Sequence, residues 1–409
     1  MPTARQTDTH TITSKTLPDP HSSPPFPVGA ATALLDAYRP GDRFLATPTR
    51  TLLAHDVRAQ VPHGPEPVAE RVAATLRRVR SEGAAAPLVV GALPFDPCAP
   101  AALVVPETVR TGPPLAADPL TVLPVGRPPT AGTWTIRPEP EPAVYGKSVA
   151  SAVERMFKGE FSKVVLARTL ELTGTGEPDL PGMLQRLART DPKGYTFALP
   201  TAPARTLLGA SPELLVSRNG DRLVSNPLAG STPRSDDLAE DVRRAAALLD
   251  SAKDLHEHAV VVDAVHQALA PYCATIDVPA RPSLIRTATM WHLSTTVTGT
   301  LARPEVSALE IACALHPTPA ICGTPTDVAR QVIDEYEPFG RGFYTGMVGW
   351  GDAEGNGEWV ITLRCAEAEG HALRLYAGAG VVSASEPEAE TTETAAKFRT
   401  FLNAVGADA

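Results

Sequence analysis

The alternation of apolar and polar positions divides this chain into short β segments with amphipathic helices between them. "RFLATPTRTLLAHD" reads as two short strands around a proline turn. "VAERVAATLRRVRSEG" carries apolar residues at helical spacing and stops at Gly83. "PLVVGALPFD" is an apolar run of buried-strand length followed by a turn. Residues 108–142 are proline-rich and read as loop, with no break in composition that would mark a domain boundary. "YGKSVASAVERMFKGEF" predicts a helix and "SKVVLARTLEL" a strand. "TLLGASPELLVSRNGDRLVSNPLAGS" predicts a β-hairpin turning at Asn219-Gly220. Asp236 to Tyr272 reads as one long helix, opened by acids and closed near Pro271. Strands return at "TATMWHLSTTVTGTL", "YTGMVGWGD", "GEWVITLRCAEAE" and "ALRLYAGAGVV", and a last helix follows. Strands arriving as hairpins with helices interspersed predict an α+β fold rather than a doubly wound sheet.

The polar N-terminal stretch, residues 1–25, ends in prolines and reads as a disordered tail; residues 26–409 are expected to form a single catalytic domain. The stretch has no apolar segment of a secretory signal, and nowhere does the chain reach the roughly 18–20 consecutive apolar residues of a membrane span. The chain has 409 residues, 43% of them hydrophobic, and a net charge of −9. Nonspecific nucleic-acid binding needs a basic footprint, so that class is set aside. A small anionic substrate would need local cations or a metal to offset the acidic background. Five cysteines with no CxxC pair argue against a disulfide scaffold or zinc ribbon and for a reducing, cytoplasmic setting.

The residues that could do chemistry are scattered. Lys163, on the strand "SKVVLAR", is either an edge lysine or a desolvated base. Glu213, between Pro212 and Leu214, is either a turn glutamate or an acid of raised pKa. In "AKDLHEHAVVVD", Asp254, Glu257 and His258 share one helix face; the spacing is not that of HExxH zinc proteases, and the acids suit magnesium. In "EAETTETAAKF", Glu390, Glu393 and Lys397 again share a face, either as a solvated salt-bridged surface or as half of a site. Gly378 and Gly380 in "YAGAGVV", read as lying just after a strand, would let backbone amides approach an anion. Arg364 alternates with apolar neighbours and would point inward, seeking a carboxylate. His292 and Tyr344 each read as structural when taken alone. The set as a whole, a base, an acid, paired carboxylates and an arginine, suits a magnesium enzyme acting on a small carboxylate.

"SKVVLAR", "LLGASPELLV", "NPLAGST", "KDLHEH", "MWHLST", "LHPTPAICGTP", "GMVGWGDAEGNGEWVITLRCA" and "YAGAGVV" together resemble the chorismate-utilising enzymes: isochorismate synthases, salicylate synthases and the large subunit of anthranilate synthase. The resemblance runs from about Phe26 to the C-terminus, and the wording "LHPTPA", "GNGEWV" and "WHL" is most similar to siderophore-pathway isochorismate synthases. It implies large, mostly antiparallel sheets with helices around them. It implies Lys163 as the base that activates water for attack at C2 of chorismate and Glu213 as the acid that protonates the departing C4 hydroxyl. Glu257 and Glu393 would be magnesium ligands, with Asp254 and Glu390 beside them. Tyr344, Arg364, Gly378, Gly380 and Lys397 would surround the substrate carboxylates, and Gly230 and His292 would line the ring pocket. Anthranilate synthases resemble one another in lacking this lysine and using ammonia from a glutaminase, so Lys163 implies water and no glutaminase subunit; a monomer is the default expectation. Salicylate synthases resemble one another in carrying Thr where this chain has Ala320, which implies stopping at isochorismate, whereas Tyr344 resembles the branches that go on to eliminate pyruvate. A non-catalytic anion-binding protein of the same fold is the alternative from another class.

Overall fold

The computed structural model describes residues 26–124 and 134–407; the N-terminal tail expected at 1–25 lies outside them. Two large sheets dominate, one of ten strands and one of nine, and every strand pairing among the described residues is antiparallel. The ten-stranded sheet has Lys163–Thr173 and Ala372–Val382 paired over eleven residues toward one of its edges. A small third sheet joins Leu228–Pro233, Met290–Ser294 and Ser283–Arg286.

The two large sheets pack face to face. One core cluster draws Leu45, Phe197 and Leu207 from the first and Val90, Val348 and Val360 from the second. Helices cover the outer faces. Ala30–Ala37, Leu180–Thr190 and the C-terminal helix Pro387–Val405 bury their apolar stripes on the ten-stranded sheet. Val68–Ser81 and Ala308–Leu315 do so on the nine-stranded sheet. Pro142–Phe157 and Thr326–Tyr336 close over the end that carries Lys163. The expected α+β class with large antiparallel sheets is the observed one.

The chain passes directly from one large sheet to the other several times, and two of these crossings build the site. Arg205–Ser211 and Leu214–Asn219 belong to different sheets and are joined by Pro212-Glu213. Gly357–Ile361 and Cys365–Glu369 are joined by Thr362–Arg364. The crossings lace together: the Ala210 amide donates to the Arg364 carbonyl and the Ile361 amide to the Glu213 carbonyl, both at 3.1 Å. Sheet-to-sheet crossings leave the edge-on backbone at the junction, and that is where Glu213 and Arg364 emerge.

Several sequence expectations are corrected. Asp236–Tyr272 is not one helix: Leu238–Asp250 ends at Ser251, whose hydroxyl caps a second helix, Ala252–Leu269, by accepting from the Asp254 amide. Serine favours this capping role over a place inside a helix, so the axis breaks there. "TATMWHLSTTVTGTL" is two strands in different sheets, Met290–Ser294 and Val297–Leu301. Within 108–142, read as loop, Thr108–Gly112 and Thr135–Glu139 are strands; each pairs with a partner remote in sequence, which a local pattern does not show.

Candidate active site

One cavity of about 90 Å³ lies where the sheet crossings, the small sheet and two helices meet. It is lined by Glu213, Gly230, Asp254, Glu257, His292, Tyr344, Arg364, Gly378, Gly380, Glu393 and Lys397. Of the residues singled out in the sequence, Lys163, His258 and Glu390 stand behind this lining, each hydrogen-bonded to a residue on it. Ala320 also lines the wall.

The two helices supply the acids. The break at Ser251 turns the first two turns of Ala252–Leu269 toward the cavity, carrying Lys253, Asp254 and Glu257. The C-terminal helix presents Glu393 and Lys397 one turn apart, and Glu390 one turn earlier faces Lys253. The face that could have been a solvated surface is therefore buried: Glu390 is 1% exposed. Each of three glutamates takes a lysine. Lys163 Nζ donates to Glu257 at 2.7 Å, Lys253 to Glu390 at 3.0 Å and Lys397 to Glu393 at 2.7 Å. Ser231 also donates to Glu393, at 2.9 Å, and Lys397 to the Gly378 carbonyl, at 2.7 Å.

Glycine at 378 and 380 has a different use from the one expected. Both lie inside the strand Ala372–Val382, not after it, opposite Ala167 and Val165. A Cβ at 378 would stand 2.8 Å from the Tyr344 hydroxyl, and one at 380 would fall on the Glu257 carboxylate and 3.3 Å from Lys163 Cε. The glycines make room for side chains that reach over the strand, so the amide cradle is not what their positions provide. Gly230 has φ +79°, and a Cβ there would press within 3.0 Å of Asp254.

Burial sets the protonation states. Glu213 is buried, and desolvation pushes its carboxyl up to about 8 against the smaller opposing effects of the Leu228 amide, Lys163 and Lys397. It is therefore protonated near neutral pH and able to donate. Burial likewise keeps His292 neutral, reinforced by Arg364 and Lys397; its Nε2 accepts from Arg364 at 3.4 Å. Burial raises the Glu390 carboxyl, with Glu393 adding to the effect. For Glu393 burial acts in the same direction but is outweighed by Lys397 and Ser231, so its pKa lies low. Burial brings Arg364 down to about 10, which leaves it cationic. Arg364 sits at φ +46°, a left-handed conformation that costs a non-glycine residue about 1–3 kcal/mol and that clusters at ligand sites. Its guanidinium has only neutral partners, Thr289, Thr400 and His292, at 3.3–3.4 Å.

The four cations Lys163, Lys253, Lys397 and Arg364 thus stand among the four acids Asp254, Glu257, Glu390 and Glu393. A dianion alone would upset that balance; a dianion arriving with a divalent cation would keep it. Among the described residues no three acidic, histidine or cysteine side chains converge into one cluster. Glu257 and Glu393 instead offer a two-carboxylate wall, which suits magnesium, a cation that takes one or two carboxylates and fills its remaining positions with water or substrate oxygen. Sequence reasoning missed Lys253, Ser231 and Tyr376, which stacks on Tyr344 at 5.1 Å. Lys253 had a signal: it lies four residues before Glu257, on the same helical face.

Residues 126–406 match the family model described as chorismate binding enzyme. The chain is 54% identical over 390 residues to isochorismate synthase DhbC of Bacillus subtilis, covering 92% of this chain and 97% of that one. It is 42% identical over 367 residues to the vibriobactin-specific isochorismate synthase of Vibrio cholerae, covering 89% and 91%. A Bacillus anthracis structure described as a 2,3-dihydroxybenzoate-specific isochorismate synthase superposes with a TM-score of 0.86 at 49% identity, covering 92% of this chain and all of that one.

Proposed function

Since this chain belongs to the chorismate-binding enzymes, we propose that it is an isochorismate synthase, a magnesium-dependent isomerase that feeds 2,3-dihydroxybenzoate or related secondary metabolism. The observation that carries the chemistry is the buried, protonated Glu213 on the same cavity as the Lys163–Glu257 pair. The relatives named above support the same reaction.

In this reading Arg364 and Lys397 take substrate carboxylates. Arg364 has no acid within ion-pair distance among the described residues, and burial makes such a guanidinium a strong carboxylate acceptor site. Glu257 and Glu393 would hold the magnesium ion, which when bound offsets the charge of the substrate's ring carboxylate. Asp254, fixed by Ser251, and Glu390, fixed by Lys253, stand beside them. Lys163 acts as base only after its ammonium, released from Glu257, has given up one proton to solvent; the neutral amine then takes a proton from water as the oxygen bonds to C2. The ring double bonds shift, and the C4–O bond breaks as Glu213 gives its proton to the leaving hydroxyl. One water enters and one leaves. His292, neutral and bonded to Arg364, orients that guanidinium. Gly230 gives Asp254 space, and Tyr344 stands over the strand at Gly378.

Incubation with chorismate and Mg²⁺, with products separated and identified by mass, tests this. Isochorismate alone, lost with a chelator, is expected. Salicylate with pyruvate would instead establish the second reading, which Tyr344 on the cavity wall favours. No turnover would leave the anion-binding alternative. The chain needs no glutaminase for this chemistry. The five free cysteines fit a cytoplasmic setting, and no helix of the described residues is long and apolar enough to cross a membrane.

A further inference from the structure

A second, larger cavity of about 420 Å³ lies outside the first and shares Arg364 and Pro212 with it. Its volume is within the range of small-molecule sites. The helix Leu180–Thr190 and the C-terminal helix form two of its walls, and Leu187, Pro212 and Ala404 make much of its surface apolar. Beside Arg189, two further guanidiniums line it, Arg186 and Arg364. Neither has an acidic side chain within ion-pair distance among the described residues: Arg364 has the neutral partners given above, and Arg186 donates through Nε to the Ala404 carbonyl at 2.5 Å. Arg186 Nη1 is buried against the first turn of its own helix, where a Cβ at Gly182 would stand 3.0 Å from it, and has no hydrogen-bond partner among the described residues, a state that costs free energy and that a turn of the guanidinium toward a ligand in the cavity would relieve. Arg189, one turn along, differs in having an acidic partner: its terminal nitrogens donate to the Leu120 and Leu123 carbonyls and to Asp36, although its Nε is likewise buried without a partner among the described residues. The cavity also contains Asp191, which disfavours a second negative charge.

We propose that this outer cavity is a separate binding site for a small ring monocarboxylate, whose carboxylate is taken by Arg186 and whose ring lies on Leu187, Pro212 and Ala404. An apolar slot in which Arg189 is already paired with Asp36, Arg186 has no acidic partner among the described residues and Asp191 opposes further negative charge suits an aromatic monoanion better than a dianion. Because Arg364 forms part of both walls, an occupant of the outer site changes the surroundings of the inner one. This assignment stands on the outer cavity alone and does not depend on the reaction proposed above.

Titration calorimetry with 2,3-dihydroxybenzoate as the probe, and its neutral amide as control, tests it. Wild type should bind the acid and not the amide. Arg186→Leu and Leu123→Trp, the latter filling the cavity from its exposed rim, should each weaken binding about tenfold or more, the scale of one charge-assisted contact. Lys397→Ala, which alters only the inner cavity, should leave it unchanged. Circular dichroism of each variant checks folding, and Leu123→Trp serves if Arg186→Leu loosens the helix end. No binding by wild type, equal binding of the amide, or loss with Lys397→Ala but not with the outer variants would overturn the proposal.

Discussion

Lys163 and Glu257 are 94 residues apart in sequence, yet the lysine ammonium donates to the carboxylate at 2.7 Å with both groups almost fully buried. The proposed base is thus held by a proposed metal ligand. A divalent cation that takes Glu257 competes with the ammonium and frees Lys163 toward the cavity, so metal loading and base availability are coupled. Lys163→Gln should lower turnover by about 10²–10⁴-fold, the usual contribution of a positioned proton acceptor. The same variant should bind Mg²⁺ more tightly, because Glu257 loses its competing cation. Calorimetric Mg²⁺ titration alongside steady-state kinetics checks both; unchanged turnover removes Lys163 from the mechanism.

Glu213 gives the reaction a defined alkaline limit. Its proton is present near neutrality and is lost as pH rises through about 8, so kcat/KM should fall above that pH. The stability sign agrees. A carboxyl whose pKa is raised by folding contributes stability below its unfolded value, about 4.3, and that contribution is lost as pH rises to the folded value. Glu213→Gln should therefore remove the alkaline limb, slow turnover by about 10²–10⁴-fold, and match or exceed wild-type thermal stability at pH above the folded value. A pH–rate profile and melting curves of both proteins read these effects. An alkaline limb that persists in the variant would assign it to another group.

The two strand glycines should separate activity from stability. Gly380→Ala displaces the Glu257 carboxylate, the far end of a flexible side chain, and Gly378→Ala presses on the Tyr344 hydroxyl. Both should fold, with stability changes of about 1 kcal/mol, while Mg²⁺ dependence shifts in the first and KM for chorismate in the second. Kinetics that match wild type in either variant would show that these approaches are not used.

Behind the site, Arg341 and Glu337 form a buried ion pair at 2.6 Å. Arg341 donates to the Val165 and Ile321 carbonyls, and Glu337 accepts from the Ala167 amide. The pair fixes the strand that carries Lys163. Arg341→Ala leaves Glu337 buried without its partner and should cost about 3–5 kcal/mol. Replacing both residues with apolar ones should cost less than that single change. Denaturant unfolding in a double-mutant cycle measures this; additive losses would contradict it.

The fold class, the C-terminal helix and a hairpin near Asn219-Gly220 were legible because hydrophobic period and turn chemistry are local, although the register pairs Asn219 with Arg222 and so moves the turn one residue on, to Gly220-Asp221. The acids of "KDLHEH" and "EAETTETAAKF" were legible as paired faces, but only tertiary packing decides between a solvated face and a buried one. Gly378 and Gly380 were misplaced because a strand interior and a strand end look alike when the side chains crossing over them come from Tyr344 and Glu257. The break at Ser251 was hidden within an otherwise continuous helical pattern, and only the cap geometry reveals it. The strand at Thr135–Glu139 was missed because its partner lies beyond a full helix.

The most direct test of the central claim, that a water activated by Lys163 becomes the new hydroxyl, is turnover of chorismate in water enriched in oxygen-18, with mass analysis of the isochorismate formed. The account predicts one oxygen-18 atom per product molecule, at the C2 hydroxyl. Product carrying only the original oxygen would mean that the hydroxyl migrates within the substrate, and would contradict the assigned roles of Lys163 and Glu213.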